Sequence, residues 1–271
     1  MKHYRVVFLS MSCDLPLYRA QAAIIEKTWA KPVIDGKWPE YAYYSFTECD
    51  KDHPKQGIDG CTIYIDTTPG LFNTYQKNRQ ALIELRKAGV TADFIVRTNT
   101  ATFINIANFN KMLPGISDKK LTGNICPQWC IHKDNTLTFN CNIVGGNFLV
   151  MPEWVVDEVI AASITADNAS EWALNGSMTP VDDFLINAVV VKNHPELLNQ
   201  LDPVPLVRYK TFVSELFQKP PFSNYDKLNV HNTIDDTIRS AVFIQLKMPN
   251  ARMMFRYIEI DHMIELYDAL V

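Results

Sequence analysis

The sequence predicts an α/β fold in which helices flank an open sheet, and two patterns carry this prediction. Tyr4 to Leu9 is an apolar run typical of a strand. The next segment, Tyr18 to Trp29, repeats apolar residues every three or four positions, as an amphipathic helix does. Phe94 to Val96 is a second strand-forming run, which follows a helical pattern and ends in polar residues. Strands that alternate with helices favour an α/β architecture.

The composition is that of one globular domain. With 271 residues, 47% of them hydrophobic and 21% charged, the chain can bury a large core and is neither disordered nor fibrous. A formal charge of −4 does not indicate the basic surface that binds nucleic acid or an anionic membrane. The sequence has no apolar run near the ~18 residues of a membrane span and no signal-peptide pattern. We therefore expect a cytoplasmic protein without a membrane partner.

The six cysteines fall at irregular spacings, which favours free thiols over a disulfide framework in a chain of this size. Cys126, Cys130 and His132 are an alternative, because they could form part of a zinc site. A Cys-x3-Cys pair without a second pair is weak evidence for zinc.

The remaining elements are predicted from the same patterns and from the glycine and proline residues that end them. Gly89 is placed to end a helix that starts at Asn73, and Pro114-Gly115 ends the next helix, because glycine and proline stop helices. The expected strands are Tyr41 to Phe46, Thr62 to Ile65, two short strands within Lys119 to Phe139, and Asn142 to Met151, which Gly145-Gly146 breaks. The other expected helices are Ile106 to Leu113, one opened by Pro152, one from Val181 to Val191, and one after His231 with Ile234, Ile238, Ala241 and Val242 on one face. Met253 to Val271 is expected to form a further strand and a helix.

Three places in this order hold residues suited to binding or catalysis. Arg97 to Thr100 follow the central strand, and ligands gather where strands of an open α/β sheet end, although a polar exit from a core strand looks the same. Gly145 and Gly146 mark either a bulge or a close approach of the backbone to a ligand. Asp182 and Asp183 open a helix, either as a solvated cap or as carboxylates directed into a cleft.

Five sequence elements, in order over roughly residues 5 to 235, match the motifs of one enzyme family. They read I-I-E-K-T-W (Ile24 to Trp29), L-F-N-T-Y-Q-K (Leu71 to Lys77), F-I-V-R-T-N-T-A-T-F-I-N (Phe94 to Asn105), C-N-I-V-G-G-N-F-L-V-M (Cys141 to Met151) and V-D-D-F (Val181 to Phe184). On these motifs the chain resembles the β-1,3-galactosyltransferase and Fringe family of nucleotide-sugar glycosyltransferases. The resemblance implies the GT-A fold, a mixed sheet flanked by helices. Five ordered matches are more specific than any single one.

The resemblance implies an inverting transfer of a sugar from a nucleotide diphosphate, in particular uridine diphosphate, to an acceptor hydroxyl. It implies Asp183 as the catalytic base, with Asp182 as the fallback. The expected donor-binding residues are Ser10, Met11, Ser12, Lys77, Arg97, Asn99, Thr100 and His231, and the expected sugar- or acceptor-binding residues are Gly145, Gly146 and Trp172. Within one GT-A-like domain, residues 1–110 would form the nucleotide-binding half, 111–235 the acceptor and catalytic half, and 236–271 a C-terminal elaboration.

The chain departs from the family where the family has three aspartates, because Asn99, Thr100 and Ala101 stand there. No carboxylate remains to hold a hard divalent cation, so we predict no cofactor, with Mn²⁺ or Mg²⁺ kept as an open alternative. Protein cations can stabilise a departing diphosphate instead, and Lys77, Arg97 and His231 are the candidates.

Two other functions stay open. A transferase of this type could act on a hydroxylated base of DNA rather than on a saccharide, with Trp129, Trp154 or Trp172 as stacking platforms for a flipped base. The chain could also be a binding module that lost its chemistry together with its aspartates. Asp182 and Asp183 argue against this, because a pure binder needs no base.

Overall fold

The computed structural model describes residues 1–68, 70, 73–131, 137–165, 167–172, 181–210, 230–246 and 256–271. Over these residues, strands and helices alternate along the first two thirds of the chain. The strands are β1 (Lys2–Met11), β2 (Tyr41–Glu48), β3 (Gly57–Asp59), β4 (Thr62–Ile65), β5 (Val90–Asn99), β6 (Thr102–Ile104), β7 (Thr122–Ile131), β8 (Leu137–Pro152), β9 (Asp202–Pro203), β10 (Val207–Tyr209), β11 (Val230–His231) and β12 (Phe243–Gln245). The helices are α1 (Pro16–Lys27), α2 (Lys31–Ile34), α3 (Thr74–Lys87), α4 (Ile106–Met112), α5 (Glu153–Ala161), α6 (Asp182–Asn193), α7 (Asp236–Ser240) and α8 (Ile258–Leu270).

The larger sheet of the described chain has eight strands in the order β3-β4-β2-β1-β5-β8-β7-β9. Strands β1, β2, β4 and β5 run parallel, whereas β8 is antiparallel to both β5 and β7. Met11 at the end of β1 pairs with Asn99 at the end of β5 and with Phe46 near the end of β2. The carboxyl ends of the parallel strands therefore meet at one edge of the sheet.

A second sheet of the described chain has four strands in the order β11-β10-β12-β6. It is connected to the first sheet at this edge. Strand β6 follows β5 after Thr100 and Ala101 and pairs antiparallel with β12. The residues that follow the central strand are thereby tied to the C-terminal part of the chain.

Both faces of the larger sheet are buried, as alternating side chains of β1 show. Val7 and Leu9 belong to a core cluster that includes apolar residues of α3, α5 and α6. Val6 and Phe8 belong to the opposite cluster, which includes residues of α1, α4 and α8. A sheet covered on both sides requires apolar residues at successive positions, which explains the continuous run from Val6 to Leu9.

Most sequence-predicted elements are confirmed, including Thr62–Ile65 with unchanged bounds and a helix that Gly89 ends with a left-handed φ of 73°. The helix predicted after His231 is wrong in its extent. It ends at Ser240, and Phe243–Gln245 form strand β12 instead, because pairing with β6 outweighs the helical spacing of Ala241 and Val242. Strands β7 and β8 form one long hairpin rather than several short strands.

The division into residues 1–110, 111–235 and 236–271 stays a prediction. In the described part of the chain, every helix is too short or too polar to cross a membrane.

Candidate functional site

The candidate site lies where the parallel strands end. Ser10 pairs with Thr98 across β1 and β5, and Met11 pairs with Asn99. Strand β8 brings its bulged segment to the same edge, since Phe148 pairs with Thr98. This is the edge at which open α/β sheets bind ligands.

Arg97 lies at the centre of this edge and is only 3% exposed. Its Nη2 atom is 2.5 Å from Oδ2 of Asp182 and 3.4 Å from Sδ of Met11, and its Nη1 atom donates to the carbonyl oxygen of Gly146. Burial raises the pKa of Asp182, and the adjacent guanidinium acts against that rise. The predicted donor-binding cation therefore has a buried carboxylate as its partner.

The first turn of α6 places Asp182 and Asp183 in different environments. Asp182 is buried, and its backbone N–H donates to Oγ1 of Thr74 on α3 at 3.1 Å. Asp183 is half-buried, and its two carboxylate oxygens accept from the backbone N–H groups of Gly146 and Phe184, both at 2.9 Å. A carboxylate that accepts backbone hydrogen bonds and still reaches solvent can also accept a proton from a bound ligand.

The bulge predicted at Gly145 and Gly146 is confirmed, although the strand continues through it. The β7–β8 register jumps from Gly123–Leu149 to Ile125–Val144, so residues 145–148 lie opposite Asn124 alone. A Cβ atom on Gly146 would lie 2.8 Å from Cζ of Arg97. The absence of a side chain on residue 146 thus leaves room for the close approach of an arginine of the same chain. The predicted contact of Gly145 and Gly146 with a sugar or acceptor stays a prediction.

Asn187 is a site residue that the sequence analysis missed. Its Nδ2 atom donates to the carbonyl oxygens of Val144 at 3.0 Å and Asp183 at 2.7 Å, and its Oδ1 atom accepts from the Val144 N–H at 3.1 Å. These bonds fasten the start of α6 to the bulge of β8 and so fix Asp183 against Gly146. A single asparagine inside the apolar run from Phe184 to Val191 was the signal in the sequence.

Lys77 has a buried position that the sequence did not predict. Its Nζ atom donates to the carbonyl oxygen of Ser12 at 2.6 Å and to Oε1 of Glu48 at 2.7 Å. Glu48 also accepts from the backbone N–H of Asp14 at 2.9 Å. Lys77 therefore joins the loop after β1 to the end of β2, and its charge is balanced within the protein.

The segment Asn99 to Ala101 does not fit a divalent cation. Oδ1 of Asn99 accepts from the Ala101 N–H and from Oγ1 of Thr102, both at 3.0 Å, and Oγ1 of Thr100 donates to Gln21 at 2.7 Å. Ala101 has no side-chain ligand atom, and hard cations need free, preferably anionic, oxygens. Among the residues that the structure describes, no three His, Cys, Asp or Glu side chains are grouped so as to hold a metal ion.

Cys126 lies close to Asp183. Burial, with a smaller contribution from the Asp183 charge, raises the pKa of its thiol to about 11. Asn124 donates to Cys126 Sγ at 3.3 Å and to Oδ1 of Asn147 at 3.0 Å. The zinc interpretation stays untested, because His132 and the side chain of Cys130 lie outside the described residues.

The predicted site residues His231 and Trp172 each have a charged neighbour. Nδ1 of His231 is 2.6 Å from Oδ2 of Asp235, near the start of α7. Trp172 is half-buried, and Nζ of Lys192 lies 4.3 Å from the centroid of its ring. Their assignments to donor and acceptor stay predictions.

The stacking role of the tryptophans stays a prediction. Nε1 of Trp154 donates to the carbonyl oxygen of Asp118 at 2.8 Å, and its ring packs edge-on against His194. The side chain of Trp129 lies outside the described residues.

Comparison with solved structures identifies the fold. An active-site mutant of LgtC superposes over 96% of this chain and 95% of its own, with a TM-score of 0.50 and 11% identity. The galactosyltransferase LgtC in complex with donor and acceptor sugar analogs covers 100% of this chain and 96% of its own, with a TM-score of 0.49 and 10% identity. A glycosyltransferase involved in the glycosylation of the major capsid of PBCV-1 covers 95% of this chain and 98% of its own, with a TM-score of 0.46 and 10% identity. No protein-family model and no curated protein sequence matches the chain.

The chain has a GT-A-like fold, with an eight-stranded mixed sheet flanked by helices. At this level of identity the likeness establishes the fold alone. The narrower resemblance to the β-1,3-galactosyltransferase and Fringe family stays a prediction from the sequence motifs.

Proposed function

We propose that this protein is a glycosyltransferase that moves a sugar from a nucleotide diphosphate sugar, in particular a uridine one, to an acceptor hydroxyl. The observation that carries the proposal is the group formed by Arg97, Asp182, Gly146 and Asp183 at the carboxyl edge of β5. On this fold, that edge is where a donor and a catalytic carboxylate would meet.

Asp183 is the base in this proposal. The acceptor oxygen attacks the anomeric carbon, the bond from that carbon to the diphosphate breaks, and the hydroxyl proton passes to a carboxylate oxygen of Asp183. Asp183 is half-buried, whereas Asp182 is buried against Arg97. This difference supports Asp183 over Asp182 as the group that takes the proton.

The donor would lie over the loops after β1 and β5, against Ser10 to Ser12, Asn99 and Thr100. Arg97 lies at this edge beside Asp182, and a diphosphate would compete with Asp182 for its charge. The role of Lys77 changes from direct ligand to support of the loop after β1, because its ammonium is enclosed by Ser12 and Glu48.

The test is incubation with a panel of uridine, guanosine and cytidine diphosphate sugars, followed by mass spectrometry for hydrolysis and transfer. Asp183→Asn keeps the shape and removes the basicity, so turnover should fall about a hundredfold while donor affinity changes little. Asp93→Asn is the matched control, because this exposed carboxylate lies near the opposite end of β5. Near-normal turnover of Asp183→Asn would end the assignment of the base.

The stereochemistry of the product gives a second test. Direct attack by an acceptor that Asp183 deprotonates inverts the anomeric carbon, so NMR of the first-formed product should show the opposite anomer from that of the donor. A product with the donor's configuration would show that Asp183 does not act as the base of a single displacement.

One observation favours a second candidate, a binding module without chemistry. Arg97 and Lys77 are both paired with buried carboxylates, and the segment Asn99 to Ala101 has no carboxylate. Nucleotide binding by calorimetry, together with no turnover across the whole donor panel, would establish this candidate over the enzyme.

A further inference from the structure

A chain of buried polar side chains links the loop after β5 to the C-terminal helix. Oγ1 of Thr100 donates to Oε1 of Gln21 on α1 at 2.7 Å, and Nε2 of Gln21 donates to Oε2 of Glu259 on α8 at 2.6 Å. Gln21 and Glu259 are each 1% exposed. A buried amide that is bonded at both ends is held in one orientation, so the position of Thr100 is tied to that of α8.

Arg256 extends the hydrogen-bond network from Glu259 to the loop after β1. Its Nε and Nη2 atoms donate to the two carboxylate oxygens of Glu259 at 2.8 and 3.0 Å, and its Nη1 atom donates to the hydroxyl of Tyr18 at 2.9 Å. The carbonyl oxygen of Tyr18 accepts from Oγ of Ser12 at 3.2 Å. The two loops assigned to the donor are therefore joined through one hydrogen-bond network, whose Thr100, Gln21 and Glu259 side chains are buried.

We propose that Gln21, Glu259 and Arg256 are positioning residues that hold the loop Asn99 to Ala101 in the shape that receives the nucleotide donor. The part that concerns the donor rests on the proposed function, whereas the positioning of the loop does not. Asn99, Thr100 and Ala101 do not fit a metal ion, so hydrogen bonds within the protein hold this loop instead.

A contribution to stability alone does not explain this arrangement. A buried ion pair has a large desolvation cost, and well-packed apolar residues usually stabilise a core at least as well. The feature that apolar residues would not reproduce is the directional bond from Gln21 to Thr100. That bond fixes a loop that borders the candidate site.

Hydrogen exchange followed by mass spectrometry on the peptide around residues 97–105 tests the positioning. Thr100→Val is nearly isosteric and removes the hydroxyl that donates to Gln21. Gln21→Met removes the side-chain amide and with it the hydrogen bonds to Thr100 and Glu259. Both variants should speed exchange in this peptide about tenfold, as expected when local opening becomes easier. Thr100→Ser keeps the hydroxyl and should restore slow exchange.

Thr28→Val is the matched control. Thr28 is buried at the C-terminal cap of α1, the helix that carries Gln21, and its hydroxyl donates to the carbonyl oxygen of Ile24 at 2.7 Å. This variant should lower the melting temperature without changing exchange around residue 100. Unchanged exchange in Thr100→Val, or an equal change in Thr28→Val, would overturn the proposal.

Calorimetric titration with uridine diphosphate tests the donor part. Gln21→Met should bind uridine diphosphate about tenfold more weakly than the unmodified chain, while Thr28→Val binds it normally. Equal affinity in variants whose loop exchanges faster would refute the link to the donor. If the unmodified chain binds no nucleotide diphosphate, the donor part fails together with the proposed function, and the exchange data still decide the positioning.

Discussion

Replacement of Gly146 by alanine tests whether the Arg97–Asp182 pair fills the centre of the site. The added Cβ would lie 2.8 Å from Cζ of Arg97, closer than real Cβ atoms approach other heavy atoms. Gly146 is not among the glycines with a left-handed φ, so backbone strain does not contribute. Overpacking of this kind costs about 1–3 kcal/mol, and disruption of a buried ion pair costs about 3–5 kcal/mol. We expect a loss of about 3 kcal/mol, because the buried guanidinium has little room to move aside.

The assay is urea unfolding followed by circular dichroism. Gly115→Ala is the matched control, since nothing lies within 4 Å of its added Cβ and its φ is not left-handed. This control should change the free energy of unfolding by less than about 0.5 kcal/mol. In an Arg97→Met background the penalty of Gly146→Ala should shrink, because the two residues are coupled. A Gly146→Ala protein as stable as Gly115→Ala would refute the reasoning.

Three further predictions follow from the site and its surroundings. Turnover should survive EDTA, because the oxygens of Asn99 and Thr100 are bonded internally; loss of turnover that Mn²⁺ restores would contradict this. The raised pKa of Cys126, about 11, should slow its alkylation by iodoacetamide at pH 8 more than about a hundredfold relative to an ordinary thiol, and Asp183→Asn should speed it, as measured by mass spectrometry. Burial lowers the pKa of His262, so the unfolded chain binds a proton more readily, and the stability that the neutral ring gives above about pH 6.5 is lost as the pH falls below it. Unfolding free energies at pH 7 and pH 5 should differ less in His262→Gln; an equal difference in both proteins would count against this assignment.

The sequence predicts elements well where local pattern and tertiary packing agree. Phe94 to Val96 are apolar because both faces of the sheet are covered, and that pattern is visible in the sequence alone. Arg97, Thr98 and Asn99 are polar and yet extend the strand, because they pair with β1 and β8. The helix predicted through Ala241 and Val242 failed for the same reason, since the partner of Phe243–Gln245 lies far away in sequence at β6.

For the candidate site, residue types are predictable and their partners are not. The sequence placed basic residues at Lys77 and Arg97, but whether such a charge is available to a ligand depends on its neighbours. Glu48 is 29 positions from Lys77, and Glu259 is 238 positions from Gln21, so no local pattern reports either contact. The diphosphate of the proposed donor would therefore compete with the buried carboxylate of Asp182 for the charge of Arg97. The fold thus pairs the positive groups of the site with carboxylates of the protein. This pairing determines how many positive charges remain for the proposed donor.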